Sequence, residues 1–303
     1  MTAVPFDAGR VPTREVLAGH APLCTDGAWG TELQKRGAAP GEMTDLWNVT
    51  APDAVFAVAH AYVEAGAQVL LTNTFSSNRV ALERHGHERR AAELSLAGAR
   101  ISRRAAGSRA WVFGSVGPTG RLIALRSIDA RTIEEAAAEQ AEALADGGVD
   151  AILVETQTGL EDARAALAGC LSACDLPVGV TFTFDSGTDG TRTMLGVTVA
   201  DVHAMALAEG AAFVGANCGN GIATYVAVAE RFRACGGGLP LWIKANAGAP
   251  VTAPDGSVSY RGEPALFASF VPALLERGVT LIGGCCGTTP SHVRAVAAAL
   301  RGR

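Results

Sequence analysis

The sequence contains no run of lysines and arginines, no basic amphipathic segment and no long apolar stretch. These absences argue against a nucleic-acid binder that works by neutralising phosphates, against a membrane-surface protein, and against a bilayer-spanning chain. Residues 1–20 hold no apolar core of signal-peptide length, so the expected compartment is the cytoplasm. A Pro/Ser linker, a break in composition and an internal repeat are also missing, and one domain over 1–303 is expected. Charge is sparse, at 18% of residues with a net of -5, while 49% are hydrophobic, enough for a large core and too apolar for disorder. Cysteines number seven, and an odd, scattered set favours metal binding or catalysis over a disulfide framework.

What is present is a rhythm. Short apolar runs at 22–25, 69–72, 111–115, 151–155, 178–184, 213–217, 241–245 and 280–283 alternate with alanine-rich amphipathic segments. Strands separated by helices predict a parallel sheet, and eight of them predict a closed (β/α)8 TIM barrel of the α/β class. Helices are expected at 52–65, 88–106, 160–173, 200–209, 222–234, 264–277 and 290–300. Another opens on a capping box of Thr132 and Glu135 and stops near Gly147-Gly148. The long glycine-bearing connection 185–196 reads equally as a lid or as a surface hairpin.

Chemistry in such a barrel belongs at the carboxyl ends of the strands. The residues there are Asp26-Gly27, Asn73-Thr74, Gly117, Glu155-Thr156, Asp185, Asn217-Cys218, Asn246 and Cys285-Cys286. The last pair lies in Gly283-Gly284-Cys285-Cys286-Gly287-Thr288-Thr289-Pro290, where flanking glycines let the backbone turn tightly and Thr289-Pro290 opens a helix. Adjacent cysteines pair poorly with each other but can share a metal, and Cys218 on the same rim supplies a third thiol. Three thiolates leave one tetrahedral position on zinc for an exchangeable ligand, as in catalytic sites. Such a centre carries a formal charge of -1 and is a poor Lewis acid for water, so hydrolysis is disfavoured. A substrate thiol, by contrast, is deprotonated outright on zinc and stays nucleophilic. Zn(2+) at the barrel mouth and alkyl transfer to a thiol are the expectations. Cys170 with Cys174, Cys24 and Cys235 read as core thiols, and His85-Gly86-His87 as a solvated loop.

The motifs together resemble a known family, the zinc-dependent homocysteine S-methyltransferases. They are Asp26-Gly27-Ala28-Trp29-Gly30-Thr31-Glu32, Leu71-Thr72-Asn73-Thr74-Phe75, Val116-Gly117-Pro118-Thr119-Gly120, Asn217-Cys218-Gly219 and the double-cysteine stretch, spread over nearly the whole chain. Among the family's branches the sequence is most similar to the homocysteine-binding domain of cobalamin-dependent methionine synthase. The resemblance implies methylation of L-homocysteine to methionine, with Cys218, Cys285 and Cys286 as zinc ligands. It further implies Asp26 and Glu155 as partners of the substrate ammonium, the amides around Gly27 to Gly30 as receivers of its carboxylate, and Asn73 as a substrate-side residue. Asn246 would fill the fourth zinc position until homocysteine displaces it; for Asn73 and Asn246 the plain alternative is tying down a loop.

The betaine-using branch places tyrosines where this chain has Ser76 and Thr156, so the implied donor is different. It is methylcobalamin on a separate corrinoid protein, or a small sulfonium such as S-methylmethionine. Asp201-Val202-His203 departs from the corrinoid-binding motif at Ala206 and reads as a helix start. Another thiol or selenol acceptor, and a non-catalytic module that binds zinc and homocysteine, remain as alternatives.

Overall fold

The computed structural model describes residues 7–20, 22–253 and 258–302, so the first six residues of the N-terminal stretch lie outside it. Eight parallel strands run in the expected places: β1 Leu23–Cys24, β2 Val69–Leu71, β3 Trp111–Val116, β4 Ala151–Gln157, β5 Val178–Phe182, β6 Val214–Cys218, β7 Leu241–Ala245 and β8 Val279–Gly284. Their order is β1-β8-β7-β6-β5-β4-β3-β2. The two ends meet through a parallel bridge between Thr25 and Val69, with the Asp26 amide donating to the Val69 carbonyl at 3.0 Å. The barrel therefore closes at the residue that begins the first motif.

Side chains of successive strand residues point to opposite faces, and here every second one enters the barrel. Leu23, Leu71, Phe113, Leu153, Phe213, Trp242 and Leu281 fill the interior floor, with Leu17 of the helix Arg14–Gly19 packed against them. Phe213 and Trp242 stack at 5.6 Å between ring centroids, and Phe113 leans on both at 5.5 and 5.7 Å. A larger apolar layer joins the outer strand faces to the surrounding helices. Continuing the same alternation toward the carboxyl ends brings Ser115, Glu155, Lys244 and Cys285 inward. The floor is greasy and the mouth polar because the period does not change while the residue types do.

Several helix limits differ from expectation for local reasons. The helix Ala130–Asp146 is capped by Asp129, whose carboxylate accepts from the Thr132 amide at 2.9 Å, so Thr132 lies inside it and not at its cap. A carboxylate caps as well as a hydroxyl and complements the helix dipole. Segment 264–277 divides into Pro264–Ser269 and Val271–Leu275, since Pro272 has no N–H to continue the ladder. Residues 88–106 begin as a 3-10 turn, Glu88–Arg90, before the helix Ala91–Ala106. The connection 185–196 is a hairpin-like loop bridged at Ser186 and Arg192 and at Arg192 and Thr198. It borders a separate surface groove, not the barrel mouth. Among the described residues no helix is long and apolar enough to cross a membrane.

Candidate metal centre and substrate pocket

The cysteine loops are built by strand ends that turn abruptly. Where β6 ends, the chain passes through two consecutive left-handed residues, Cys218 (φ 70°) and Gly219 (φ 66°). Cys218 is not glycine, and such a backbone costs on the order of 1–3 kcal/mol, the kind of strain retained where a side chain must be aimed. Near the end of β8, a side chain at Gly283 would lie 2.7 Å from the Asp26 carbonyl oxygen, so only glycine lets β8 run this close to the end of β1. The loop is then fastened on several sides. The Cys285 amide donates to Ala245 at 2.6 Å, the Ala247 amide to Cys286 at 2.9 Å, and the Thr288 hydroxyl to the Cys285 carbonyl at 2.7 Å. Asn246 fastens the Cys218 loop, its backbone amide donating to the Cys218 carbonyl at 3.1 Å and its side-chain amide to the Gly219 carbonyl at 2.7 Å.

The result is one cluster. The Sγ atoms of Cys218, Cys285 and Cys286 all lie within 4.8 Å of one another, with Cys218 and Cys286 4.0 Å apart. A zinc ion with 2.3 Å bonds to tetrahedral thiolates needs sulfurs roughly 3.8 Å apart. The donor set fits it. The Cys218 thiol is held far above its usual range by hydrogen bonds to Cys285 and Cys286 and then by burial. Cys286 is held below its usual range by hydrogen bonds from Cys218 and Cys285, and a second or third negative charge this close is favoured only with a cation among the sulfurs. Asn246 is 3% exposed and its buried Oδ1 accepts no hydrogen bond among the described residues, leaving an oxygen donor next to the cysteine loops.

The mouth opens into a cavity of about 760 Å³ lined by the three cysteines, Glu155, Lys244 and Tyr260 on the inner side. Glu155 is 6% exposed; Ser115 donates its hydroxyl to Oε1, and Asn217 its amide to Oε2 at 3.3 Å. Burial first, and then the negative charges of Cys285 and Asp26, push its carboxyl up to about 7 against the opposing pull of Lys244 and Ser115. Toward solvent the lining passes to Trp29, Phe75 and the rim residues Arg84 and His85, so the solvated loop read in the sequence edges the entrance.

Asp26 lies inside the barrel with protein partners of its own. Its carboxylate is 0% exposed and faces an ammonium already in the protein, Lys244 Nζ at 3.1 Å from Oδ1. Its other oxygen accepts from Trp29 Nε1 and the Leu71 amide, both at 2.9 Å. Desolvation is the largest influence on this group and raises it, opposed chiefly by Lys244. Gly27 lines the cavity, and a side chain there would meet the Tyr62 ring at 2.6 Å. Asn73 also lines it, but its amide donates to the Thr44 carbonyl at 2.8 Å and to Asn48 at 3.0 Å, the loop-tying alternative. Cys24 and Cys170 are buried core thiols, and Asp201 completes a capping box with Thr198 at the start of the helix Val199–Ala208.

Sequence reading missed Lys244, Ser115 and Tyr260. The first two had a signal, being two residues beyond Trp242 and Phe113 on strands of fixed period. Tyr260 follows a short hairpin, Val251–Thr252 with Val258–Ser259, that leans over the mouth, and no local pattern marks it.

A family model described as homocysteine S-methyltransferase matches residues 23–300. Methionine synthases of Mycobacterium leprae and Mycobacterium tuberculosis are each 34% identical, over 94% and 91% of this chain. The chain spans about a quarter of those relatives, 25% and 24% of their lengths. Among solved structures, the oxidised form of the homocysteine methyltransferase MmuM from Escherichia coli superposes with a TM-score of 0.80 at 24% identity, covering 95% of this chain and 99% of that one. Its metallated form gives 0.78 over the same coverage and identity. At that identity the likeness speaks for the fold.

Proposed function

The chain belongs to the homocysteine S-methyltransferase family, and from that premise we propose that it methylates the thiol of L-homocysteine to give methionine. The observation that carries the reading is the cluster of three thiols within 4.8 Å at the end of a cavity that also holds Glu155. Cys218, Cys285 and Cys286 would hold Zn(2+), and Asn246 Oδ1 would be available to it as a further oxygen donor. Bound zinc supplies ionisation of the substrate thiol, which is only a few per cent thiolate at neutral pH when free. The domain is one barrel over 1–303, and the compartment is the cytoplasm, where seven unpaired cysteines stay reduced.

The remaining work is done by the chain's own groups. Glu155 pairs with the substrate ammonium, a charge-assisted contact in a dry site. The turn from Gly27 to Gly30 lies at the cavity wall and receives the carboxylate. The thiolate then attacks an electrophilic methyl from the open side, forming the new S–CH3 bond as the donor's bond to that methyl breaks and the donor leaves with the bonding pair, as cob(I)alamin from a methylated corrinoid or as a neutral thioether from a sulfonium. That donor is a methylated corrinoid on a partner protein or a small sulfonium such as S-methylmethionine. Thr156 bonds through its hydroxyl to Asn217, and the Ser76 amide to Asp45, so neither position offers a ring for a betaine cage. A donor panel with homocysteine tests this: methionine is expected from methylcobalamin or S-methylmethionine and not from betaine. Strong betaine activity, or no methionine from any donor, would overturn it; a faster reaction with another thiol or selenol would reassign the acceptor.

Glu155 makes the reading pH-sensitive. Its carboxyl is raised to about 7, so it protonates as pH falls through 7 and the ammonium loses its partner. The KM for homocysteine is expected to climb about tenfold per unit below that point, and Glu155→Gln to show a high KM without this limb. Stability has the opposite sense. A carboxyl whose folded pKa is raised favours the fold fully only below its unfolded value and loses that contribution as pH rises through about 7. Glu155→Gln is therefore expected to be the more stable protein at pH 8, with the advantage gone by pH 5, as read from urea midpoints.

A further inference from the structure

Lys244 is a lysine inside a barrel, its side chain 3% exposed, two residues above the aromatic floor. An ammonium has three N–H groups and no acceptor, and here three acceptors surround it. It donates to the carbonyl of Gly27 at 2.9 Å and to that of Gly284 at 2.6 Å, with Asp26 Oδ1 at 3.1 Å. Gly27 follows β1 and Gly284 ends β8, so one cation joins the two strand ends at the seam beside the double cysteine. The Gly284 carbonyl and the Cys285 amide belong to the same peptide unit. Lys244 holds the oxygen of that unit, and the next residue of β7, Ala245, takes its N–H at 2.6 Å. With both polar atoms fixed, the plane that aims Cys285 cannot rotate.

We propose that Lys244 and Asp26 form a buried positioning pair that sets the Gly284–Cys285 peptide and places a fixed positive charge beside the thiol cluster, leaving Glu155 rather than Asp26 to meet the substrate ammonium. This rests on the metal-centre reading above. A three-thiolate zinc centre is anionic and becomes more so with a fourth thiolate, so a neighbouring cation offsets the accumulating charge. Asp26, fully buried and held by Trp29 and Leu71, is the counter-ion that keeps the lysine in place. A substrate ammonium would have to displace Lys244 to reach it. Glu155 instead faces the cavity directly.

Zinc release to a chelator, and the thiolate-to-metal absorption of the cobalt(II)-substituted protein, read the centre without any methyl donor. In the full chain, Lys244→Met and Asp26→Asn are each expected to speed zinc release about 10- to 100-fold and to shift the cobalt band. The kcat should fall by a similar factor, with the KM for homocysteine within about threefold of wild type. Glu155→Gln should do the reverse, raising KM with zinc release unchanged. The double variant Asp26→Asn/Lys244→Met leaves no uncompensated charge, and it extends the test to the case where a single variant fails to fold; a shifted cobalt band is expected there too. Wild-type zinc release and an unshifted cobalt band in Lys244→Met or in the double variant would overturn the proposal. So would an Asp26→Asn protein whose only defect is a KM raised tenfold or more. Shifted spectra with no methyl transfer from any donor would keep the positioning pair and sink the proposed activity.

Discussion

Serine in place of Cys285 is expected to lose nearly all bound zinc and to lower methyl transfer by roughly 10³-fold or more, while the barrel stays folded. Two effects set that size. The first is ionisation: a free thiol of pKa about 8.5 is about 3% thiolate at pH 7, which alone is worth some 30-fold. The second is placement, because a thiolate no longer held in line with the donor forfeits much of the effective concentration that binding provides. Serine keeps the shape of cysteine to within an atom and is a much harder ligand, so softness is tested with little change in packing. The half-buried Cys285 contributes little to the core, and circular dichroism melts should shift by no more than a few degrees. Chelating zinc from the wild-type protein should reproduce the loss, and adding zinc back should restore the wild type but not Cys285→Ser. Full turnover after the metal is gone would end the zinc mechanism.

The sequence made this prediction possible because the cysteine motif is local. Gly283 to Pro290 carries its glycines, cysteines and helix start in one stretch, and period-two strands bring Cys218 to the same rim. The strand positions were legible for the same reason, since each apolar run is bounded by turn residues and buried on both faces. Charge partnership was not legible. Asp26 and Lys244 are far apart in sequence, and their contact exists only because β1 and β7 both flank β8 in the sheet. A rim residue looks available to a substrate until the structure shows what already occupies it. Asn73 illustrates the same limit, its amide spoken for by Thr44 and Asn48 from a connecting segment that sequence reading left unassigned. The connection 185–196 is another instance. Its length and glycine content left a lid and a surface hairpin equally open, whereas the segment beside the cysteines holds Tyr260, just after the paired Val251–Thr252 and Val258–Ser259.

The floor under Lys244 carries the largest effect on stability. Trp242→Ala is expected to destabilise the protein by about 4 kcal/mol, within the 3–5 kcal/mol typical of a buried tryptophan. Trp242 is fully buried, and its ring is one of three that pack against each other in the barrel interior. Phe113 and Phe213 are anchored on other strands of a closed barrel, so they cannot move inward far enough to fill the space. Gly215 on the neighbouring strand lies so close to the Trp242 backbone that β6 has no freedom to close in from that side either. Against a total of about 5–15 kcal/mol this is a large share, and for a chain of this size it corresponds to a Tm lower by roughly 10 °C. Trp242→Phe separates packing from polarity. Among the described residues the buried indole Nε1 has no hydrogen-bond partner, so removing it relieves an unsatisfied donor while most of the ring volume remains. That variant is expected to lose less than about 2 kcal/mol. Zinc content per folded molecule should be unchanged in both, because the cysteine loops are fastened by Ala245, Asn246 and Thr288 rather than by the floor. A Trp242→Ala protein within about 1 kcal/mol of wild type in urea would mean that the barrel interior repacks freely and is not rigidly layered.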